Sequence, residues 1–517
     1  MSTHKSILKS AGIVGFATLC SRILGFIRDM VIARLFGVYV YAQAFVIAFK
    51  IPNLLRDFIA EGAANAAIVP VLSEYALKRS KEDFWELANV ILNLMLVVLT
   101  VLTIAGIIFA PFVVKIIAPG FVADQCKLAT TITLTRILFP YLLLVGLAAY
   151  AMAVLNSLKH FSIPAFAPCL LNISLISFTL FFGEGIKGLS LGVLVGGCLQ
   201  LAIQIPVLYR KGFRLKLFQN FTHPEALPIG KLLVPRLISN SIYQLNNFVD
   251  SIFGSLAWIV GDGGIAALYF AYRLILFPIG ICSTSLSQVL LPTFSRYAVE
   301  SDRKKLVQSL SFGLRATFFV MVPASVFFMV ASRPIISTIF QGGSFDRYAV
   351  YMTADVLFFY SIGLCAYAAT KILQSCFFAL KDTSTPTKLS AVALVINIVL
   401  NALLMFPMKL SGIALATSLS GIVTSIILFL IIRKRISFFE TRRVLVSFLK
   451  ATVASLAMGL ICFFVSRRMA FASTAMLTNF MHLGIVVATA GVSYIVFSFL
   501  LRAAEIEELW RWIAKKK

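Results

Sequence analysis

Long apolar runs recur from one end of this 517-residue chain to the other. About 20 consecutive apolar residues are enough to cross a bilayer as an α-helix. Because the runs are continuous and do not alternate, the strands of a membrane β-barrel do not explain them. Hydrophobic residues make up 60% of the chain and charged residues 13%, which leaves too little polar surface for a soluble protein. The sequence therefore predicts an all-α integral membrane protein.

Fourteen apolar segments can be counted, and we number them 1 to 14 along the chain. They span residues 8–36, 41–73, 85–117, 127–155, 162–183, 187–209, 229–258, 263–296, 308–340, 349–379, 384–407, 411–432, 443–466 and 477–502. Lys5 and Lys9 at the start of the first apolar stretch resemble the start of a signal peptide, but the charges Arg22, Arg28, Asp29 and Arg34 farther along it are typical of a retained first helix.

The net charge of +25 comes from 46 Lys and Arg against 21 Asp and Glu. In a soluble protein this excess would suggest a nucleic-acid partner, but in a membrane protein basic residues collect in cytoplasmic loops. The loops after segments 2, 4, 6, 8, 10 and 12 and the C-terminal tail are basic, and only the loop with Arg467 and Arg468 departs from the bias. Both termini are therefore predicted to be cytoplasmic.

An internal repeat with an offset of 222 residues divides the chain. "VPVLSEYA" at 69–76 resembles "LPTFSRYA" at 291–298, and "LKHFSIP" at 158–164 matches "LKDTSTP" at 380–386. The offset equals six segments, so two parallel lobes of six helices are predicted, followed by two added helices. The predicted domains are 1–222 for the N-lobe, 223–440 for the C-lobe, and 441–517 for helices 13 and 14 with a basic cytoplasmic tail.

Several charged residues lie inside the apolar segments, where a charge is costly and marks a functional site by default. Arginine suits a phosphate group because its planar guanidinium donates paired hydrogen bonds and stays charged. A cationic cavity that binds an anionic group is predicted from Arg22, Arg28, Arg56 and Arg273. For Arg34, Lys50 and Asp57, near segment ends, structural pairing or snorkelling is favoured. Arg28 and Asp29 point in different directions on a helix, so they need not pair with each other.

A second polar set offers oxygen atoms in place of guanidinium groups. Asp250 is a lone acid in segment 7, Asn397 and Asn401 share one face of segment 11, and Thr417 lies in segment 12. Such oxygens suit a hard cation such as sodium, and such amides also form hydrogen bonds between membrane helices. Both interpretations stay open. No other cofactor is predicted, since the cysteines and histidines are too scattered for a metal site.

Four motifs resemble the lipid II flippase family MurJ, also called MviN, of the multidrug/oligosaccharidyl-lipid/polysaccharide exporter superfamily. They are "SRILGFIRD" (21–29), "AFKIPNLLRDFIAEGA" (48–63), "FSIPAFAPCLLNIS" (161–174) and "YRLILFPIG" (272–280). The resemblance implies transport of lipid II, an undecaprenyl-diphosphate-linked peptidoglycan precursor, from the cytoplasmic to the outer leaflet by alternating access. It implies a monomer in the bacterial inner membrane that serves cell-wall biogenesis and cell shape.

The same resemblance implies roles for individual residues. Arg22, Arg28, Arg56 and Arg273 would line the cavity and meet the diphosphate, and Asp29 would act in a gate. Helices 13 and 14 would form a groove for the lipid tail. Asp250, Asn397, Asn401 and Thr417 would correspond to a sodium site. The chain departs from many relatives at Gln43, Tyr272 and Leu276, where acids are replaced, so its cavity would be more positive.

Three alternatives are weighed against this interpretation. A flippase or exporter of another lipid-linked oligosaccharide, or a small-molecule exporter of the same superfamily, would share the fold, but a cationic-drug exporter needs cavity acids. A membrane scaffold would use the +25 charge on anionic lipids and would leave the intramembrane arginines unexplained. An enzyme is disfavoured because no clustered acids, histidines or metal motif occur. No Walker A pattern occurs either, so transport would draw on ion gradients or the membrane potential.

Overall fold

The computed structural model describes residues 3–56, 68–183, 185–217, 245–246, 248–436, 440–469 and 476–506, with only the backbone described at 3–11, 55 and 56. The described part of the chain is built of helices, with one isolated β-bridge between Gly342 and Phe345. The chain divides into two compact units, Met1–Ser255 and Leu256–Lys517. The predicted lobe boundary at 222/223 lies outside the described residues and stays a prediction.

The first unit holds the helices of segments 1 to 6. They are Thr3–Phe36, Val40–Arg56, Val69–Lys78, Lys81–Ile117, Gln125–Leu138, Pro140–Ser157, Ser162–Phe182, Ile186–Ala202 and Ile205–Arg210. Segments 4 and 6 are each built from two consecutive helices, because Pro140 and Pro206 stand in the first turn of the second helix, where a missing N–H group is tolerated. Of segment 7, the structure describes 245–246 and 248–258.

The second unit holds segments 8 to 14. Its helices are Ala257–Val260, Gly264–Pro278, Ser285–Val299, Arg303–Val330, Ser332–Phe340, Arg347–Ile362, Leu364–Ala379, Ser384–Arg435, Thr441–Arg467 and Met476–Leu500. A π-helical turn, Ile279–Thr284, joins the two helices of segment 8. The helix bounds agree with the predicted segments to within a few residues wherever the chain is described.

Among the described residues, nine helices are long and apolar enough to cross a membrane, and a tenth span arises if the pair bent by 44° at Gly363 is counted as one. The helix Ser384–Arg435 is 52 residues long and contains both segment 11 and segment 12. This architecture confirms the all-α membrane fold, and it is consistent with the predicted number of fourteen segments.

Helix starts repeat between the two units at the predicted offset. Lys81, Gln125 and Ser162 begin helices in the first unit, and Arg303, Arg347 and Ser384 begin helices 222 residues later. The capping residues repeat as well. The side chains of Ser80 and Asp124 accept hydrogen bonds from backbone N–H groups in the following turn, and so do those of Asp302 and Asp346, again 222 residues later. These caps satisfy N–H groups that helix starts leave unpaired, so the repeat reflects the same local chemistry in both units.

The connection between segments 11 and 12 is very tight. The helix Ser384–Arg435 is interrupted at Lys409, whose φ of 51° is not helical, and no longer loop separates the two segments. At Gly412 a β-carbon would lie 2.2 Å from the carbonyl oxygen of Leu404, so only glycine allows the two halves to approach this closely. The turn brings Thr417 of segment 12 beside Asn397 of segment 11.

Segments 13 and 14 pack on segment 9 within the second unit. Val326, Met458, Cys462, Val486 and Tyr494 form a buried apolar cluster there. The Tyr494 hydroxyl donates a hydrogen bond of 2.7 Å to the carbonyl oxygen of Phe319, which gives this buried phenol its partner. The two added helices are therefore an integral part of the second unit.

Candidate functional site

Arg28 and Asp29 form a buried ion pair in segment 1. The Nε and Nη2 atoms of Arg28 donate hydrogen bonds to Oδ1 of Asp29, at 3.0 and 2.6 Å. The exposed fractions of the two residues are only 7% and 2%. The expectation that these neighbours need not pair is wrong, because the long arginine side chain turns back along the helix to reach the carboxylate. The pair is neutral, so an anionic ligand of Arg28 competes with Asp29 for the guanidinium.

Asn172 of segment 5 holds the other side of the Arg28 guanidinium. Arg28 Nη1 donates to Oδ1 of Asn172 at 3.1 Å, and the amide nitrogen of Asn172 donates to the carbonyl oxygen of Ser21 at 3.1 Å. The second hydrogen bond fixes which way the amide faces, because only one orientation satisfies both partners. The four residues join segments 1 and 5, and we call them the Arg28 cluster: Ser21, Arg28, Asp29 and Asn172.

The other three predicted arginines are placed differently. Arg22 is exposed on the helix Thr3–Phe36, one and a half turns before Arg28. Arg56 ends the helix Val40–Arg56, and its side chain lies outside the described residues. Arg273 belongs to the second unit, where it is half-buried with its guanidinium carbon 5.9 Å from the ring centroid of Tyr269. The structure thus describes Arg22, Arg28 and Arg273, and the shared cavity stays a prediction.

The residues at which the chain departs from its relatives are partly enclosed. Gln43 is buried in the helix Val40–Arg56. Tyr272 and Leu276 are half-buried beside Arg273 in the helix Gly264–Pro278. The Tyr272 ring packs edge to face against Tyr360, with 5.7 Å between the ring centroids. Tyr272 therefore contributes aromatic packing at a position where many relatives are expected to carry an acid.

Three of the four residues of the predicted sodium site are brought together. Asn401 donates from Nδ2 to Oδ1 of Asn397 at 3.0 Å, and Asn397 donates from Nδ2 to the Thr417 hydroxyl at 3.1 Å. The Thr417 hydroxyl donates in turn to the carbonyl oxygen of Ile413. Both asparagines are fully buried. We call Asn397, Asn401 and Thr417 the amide ladder.

Asp250 belongs to the first unit and lies in the electrostatic field of a cation there. Lys50 donates a hydrogen bond from Nζ to the hydroxyl of Ser251, and its ammonium group is attracted to the Asp250 carboxylate. In the amide ladder, two of the oxygens that a sodium ion would require accept N–H groups instead. The three residues of the amide ladder are thus held by hydrogen bonds to one another. The geometry favours the hydrogen-bonding interpretation, and sodium binding stays a prediction.

Asn172 is the residue of this site that the sequence analysis missed. It lies within the motif "FSIPAFAPCLLNIS", and a lone amide in an apolar membrane helix is itself a signal of a buried partner. What the sequence could not show is that the partner is Arg28, 144 residues earlier.

The sequence relatives identify the family of this chain. The model of the family described as "Lipid II flippase MurJ" matches residues 32–482. The chain belongs to the lipid II flippase MurJ family. A MurJ relative from Buchnera aphidicola subsp. Acyrthosiphon pisum, named a probable lipid II flippase MurJ, is 38% identical over 427 residues, covering 82% of this chain and 83% of its own. The lipid II flippase MurJ of Burkholderia cenocepacia is 33% identical over 443 residues, covering 84% of each chain.

Solved structures agree with the MurJ assignment. A structure of lipid II flippase MurJ in an inward closed conformation superposes with a TM-score of 0.80 at 27% identity, covering 95% of this chain and 98% of its own. An inward-facing multidrug resistance transporter of the MATE family superposes with a TM-score of 0.66 at 15% identity, covering 81% of this chain and 95% of its own, and shows the fold alone. The chain is therefore a membrane transporter of the MurJ family.

Proposed function

We propose that this protein is a flippase that carries lipid II from the cytoplasmic to the outer leaflet of the bacterial inner membrane by alternating access. The observation that carries the proposal is the match of the MurJ family model to residues 32–482, together with relatives of up to 38% identity that are named lipid II flippases. The match begins at residue 32 and so does not include Arg28 and Asp29, whose chemistry supports the proposal independently.

The Arg28 cluster is suited to an anion that arrives and leaves. A guanidinium binds a diphosphate through several charge-assisted hydrogen bonds. The diphosphate can therefore compete with a single carboxylate for the guanidinium. Asp29 keeps the buried cation compensated before the ligand arrives, because an uncompensated buried charge is costly. We propose that Arg28 exchanges Asp29 for the diphosphate of lipid II, and that Arg22, Arg56 and Arg273 supply further positive charge.

The proposed direction of transport agrees with the membrane potential. The diphosphate is negative, so outward movement runs with a potential that is negative inside, at about 2.3 kcal/mol per charge for each 100 mV. This field biases export without nucleotide hydrolysis. The protein has a transport role and no catalytic one in this proposal, and it acts as a monomer with both termini in the cytoplasm.

Complementation tests the proposal directly. Cells depleted of their own lipid II flippase would receive the wild-type chain, Arg28→Ala or Arg273→Ala, with membrane expression checked by blotting. Arg347→Ala is the matched control, because Arg347 is an exposed arginine at a helix start. We expect rescue by the wild type and by Arg347→Ala only.

Each other outcome has a defined meaning. Failure of the expressed wild-type chain would overturn lipid II as the substrate. Full rescue by both Arg28→Ala and Arg273→Ala would make those arginines structural and would remove the proposed diphosphate contacts.

A further inference from the structure

A pocket of about 410 Å³ opens within the second unit, and none of its lining residues belongs to the Arg28 cluster or the amide ladder. Its lining is polar on one part and apolar on the other. Arg333, Arg467, Asp355, Ser332 and Ser466 form the polar part. The apolar part is formed by Met329, Val330, Pro334, Phe358 and Phe463. Such a lining suits an amphiphilic ligand with a charged head and a hydrocarbon body.

The charges in the pocket favour an anionic head. Two guanidinium groups face a single carboxylate, and the Arg333 to Asp355 pair is long at 3.9 Å between half-exposed side chains. Arg333 lies over the ring of Tyr351 at 4.9 Å, and Arg467 lies over the ring of Phe463 at 4.5 Å. Stacking on an aromatic face holds a guanidinium in place. The N–H donors point outward in the plane of the guanidinium and take no part in the stacking, so they are oriented for a hydrogen-bond acceptor.

The depth of the pocket in the bilayer follows from the helices that carry it. The helices Arg303–Val330 and Thr441–Arg467 have 28 and 27 residues, and each begins next to a basic loop predicted to be cytoplasmic. At a rise of 1.5 Å per residue they are about 40 Å long, which matches a bilayer with its headgroup regions. Arg333 and Arg467 follow or end these helices, so they lie at the headgroup level of the outer leaflet.

The surface beside the pocket is apolar and exposed. Phe464 and Leu460 of segment 13 and Met481 and Ile485 of segment 14 present large hydrophobic side chains. In a membrane protein such a surface is covered by acyl chains, which places hydrocarbon next to Phe463 at the mouth of the pocket. A charged pocket at headgroup level that opens onto a lipid-facing surface has the layout of a phospholipid site.

We propose that this pocket binds the phosphodiester headgroup of an anionic phospholipid in the outer leaflet. Arg333 and Arg467 hold the phosphate oxygens, Ser332 and Ser466 line the headgroup space, and the acyl chains lie along segments 13 and 14. The ligand is a component of the surrounding membrane and not the transported substrate, so this proposal stands independently of the proposed function.

Native mass spectrometry of the full-length protein in detergent tests the site. The protein would be titrated with phosphatidylglycerol, with phosphatidylcholine, with inorganic phosphate and with undecaprenyl diphosphate. The site variant is Arg333→Gln/Arg467→Gln. The matched control is Arg347→Gln/Arg468→Gln, which removes two exposed arginines outside the pocket lining, from the same end of the spans.

We expect the site variant to bind phosphatidylglycerol at least about tenfold more weakly, a loss of about 1.4 kcal/mol or more, because it loses the charge-assisted hydrogen bonds to the phosphate. The control variant and the wild type bind it equally, and phosphatidylcholine binds weakly to all three. Thermal midpoints measured alongside check that both variants are folded. We expect them to fold because the substituted positions are exposed.

Four outcomes would overturn the proposal. Equal losses in the two double variants would mean a general charge effect. Equal binding of phosphatidylcholine and phosphatidylglycerol would remove the requirement for an anionic head. Displacement of phosphatidylglycerol by millimolar inorganic phosphate would indicate a site for free anions. Finally, an equimolar amount of undecaprenyl diphosphate could displace phosphatidylglycerol from the wild type but not bind to the site variant. That result would assign the pocket to the substrate.

Discussion

Arg28 directs two N–H groups at a single carboxylate oxygen of Asp29, the next residue in the chain, while its third nitrogen reaches Asn172 on another helix. The Asp29 carboxylate thus compensates the buried positive charge of Arg28. In the proposed flippase cycle, the strength with which Asp29 holds Arg28 sets how tightly the diphosphate binds.

Asp29→Asn is expected to strengthen diphosphate binding and to weaken the fold. The substitution removes the anion that competes for Arg28, so we expect about tenfold tighter binding of undecaprenyl diphosphate, a gain of about 1.4 kcal/mol. It also breaks the ion pair of the buried Arg28, which lowers stability by roughly 3–5 kcal/mol. Thermophoresis with the purified protein measures the first effect, and thermal unfolding measures the second. Weaker binding by a variant that remains folded would show that Asp29 does not compete with the ligand.

Asn172→Ala is expected to impair the Arg28 cluster without removing a charge. The substitution leaves the Arg28 Nη1 group and the Ser21 carbonyl without the amide, at a cost of about 1–3 kcal/mol. The expected result is a lower thermal midpoint and weaker rescue in the complementation assay. Ser174→Ala is the matched control, because Ser174 is buried on the same helix and its hydroxyl has no hydrogen-bond partner among the described residues. Equal effects of the two substitutions would contradict a specific role for Asn172.

The positions of the helices were largely predictable, and particular residues show why. Segment 13 was predicted at 443–466, and the helix is Thr441–Arg467. An apolar run bounded by basic residues leaves little choice of helix bounds, because a spanning segment must satisfy its backbone internally. The 222-residue repeat predicted two lobes of six helices, and the helix starts at Arg303 and Arg347 follow the same offset from Lys81 and Gln125.

Side-chain partners were less predictable, because they depend on packing between distant helices. Arg315 lies inside apolar segment 9, and its partner Glu505 lies 190 residues later. Arg28 and Asp29 are adjacent, and the direction of their Cβ atoms on a helix argued against pairing; the length of the arginine side chain overcame that geometry. The sodium ligands were predicted as a set of oxygens, whereas the packing of segments 11 and 12 turns amide N–H groups toward those oxygens.

Glu505→Gln is expected to destabilise the attachment of segments 13 and 14. Glu505 Oε1 accepts a hydrogen bond from Arg315 Nη1 at 3.1 Å and one from the Ser447 hydroxyl at 2.8 Å, in a largely buried setting. Removing the negative charge breaks the ion pair with the largely buried Arg315, so we expect a loss of about 3–5 kcal/mol in unfolding free energy.

A charge-free double variant separates this ion pair from simple loss of packing. Arg315→Met/Glu505→Leu replaces both charges by apolar groups and is expected to recover most of the stability that Glu505→Gln loses. Thermal unfolding in one detergent provides the comparison, with Ser447→Ala as a control that costs about 1 kcal/mol. A double variant no more stable than Glu505→Gln would contradict the ion-pair explanation.

Asp382 links stability to pH at the start of the helix Ser384–Arg435. Hydrogen bonds from the Thr385 hydroxyl and backbone N–H, with the nearby Arg435, hold the pKa of the Asp382 carboxyl below its usual range. A depressed pKa means that the carboxylate stabilises the folded protein above its unfolded pKa, about 3.9, and that this contribution is lost as the pH falls through the folded pKa. Asp382→Asn should therefore lower the free energy of unfolding at pH 7 by about 1 kcal/mol, and the thermal midpoint falls with it. The gap between wild type and variant should shrink below about pH 4, and a gap that is independent of pH would contradict the role of the charge.

Sodium is expected to leave the stability of this protein unchanged. In the amide ladder, Asn401 donates to Asn397 and Asn397 donates to Thr417, so two of the oxygens that an ion would need already accept N–H groups. Thermal midpoints measured in sodium chloride and in choline chloride at equal ionic strength should agree for the wild type. Asn401→Leu should lower both midpoints equally, because it breaks the ladder at a fully buried position and costs about 1–3 kcal/mol. A sodium-specific rise in the wild type that disappears in Asp250→Asn and Asn401→Leu would instead establish the sodium site, with Asp250, Asn397, Asn401 and Thr417 as its ligands.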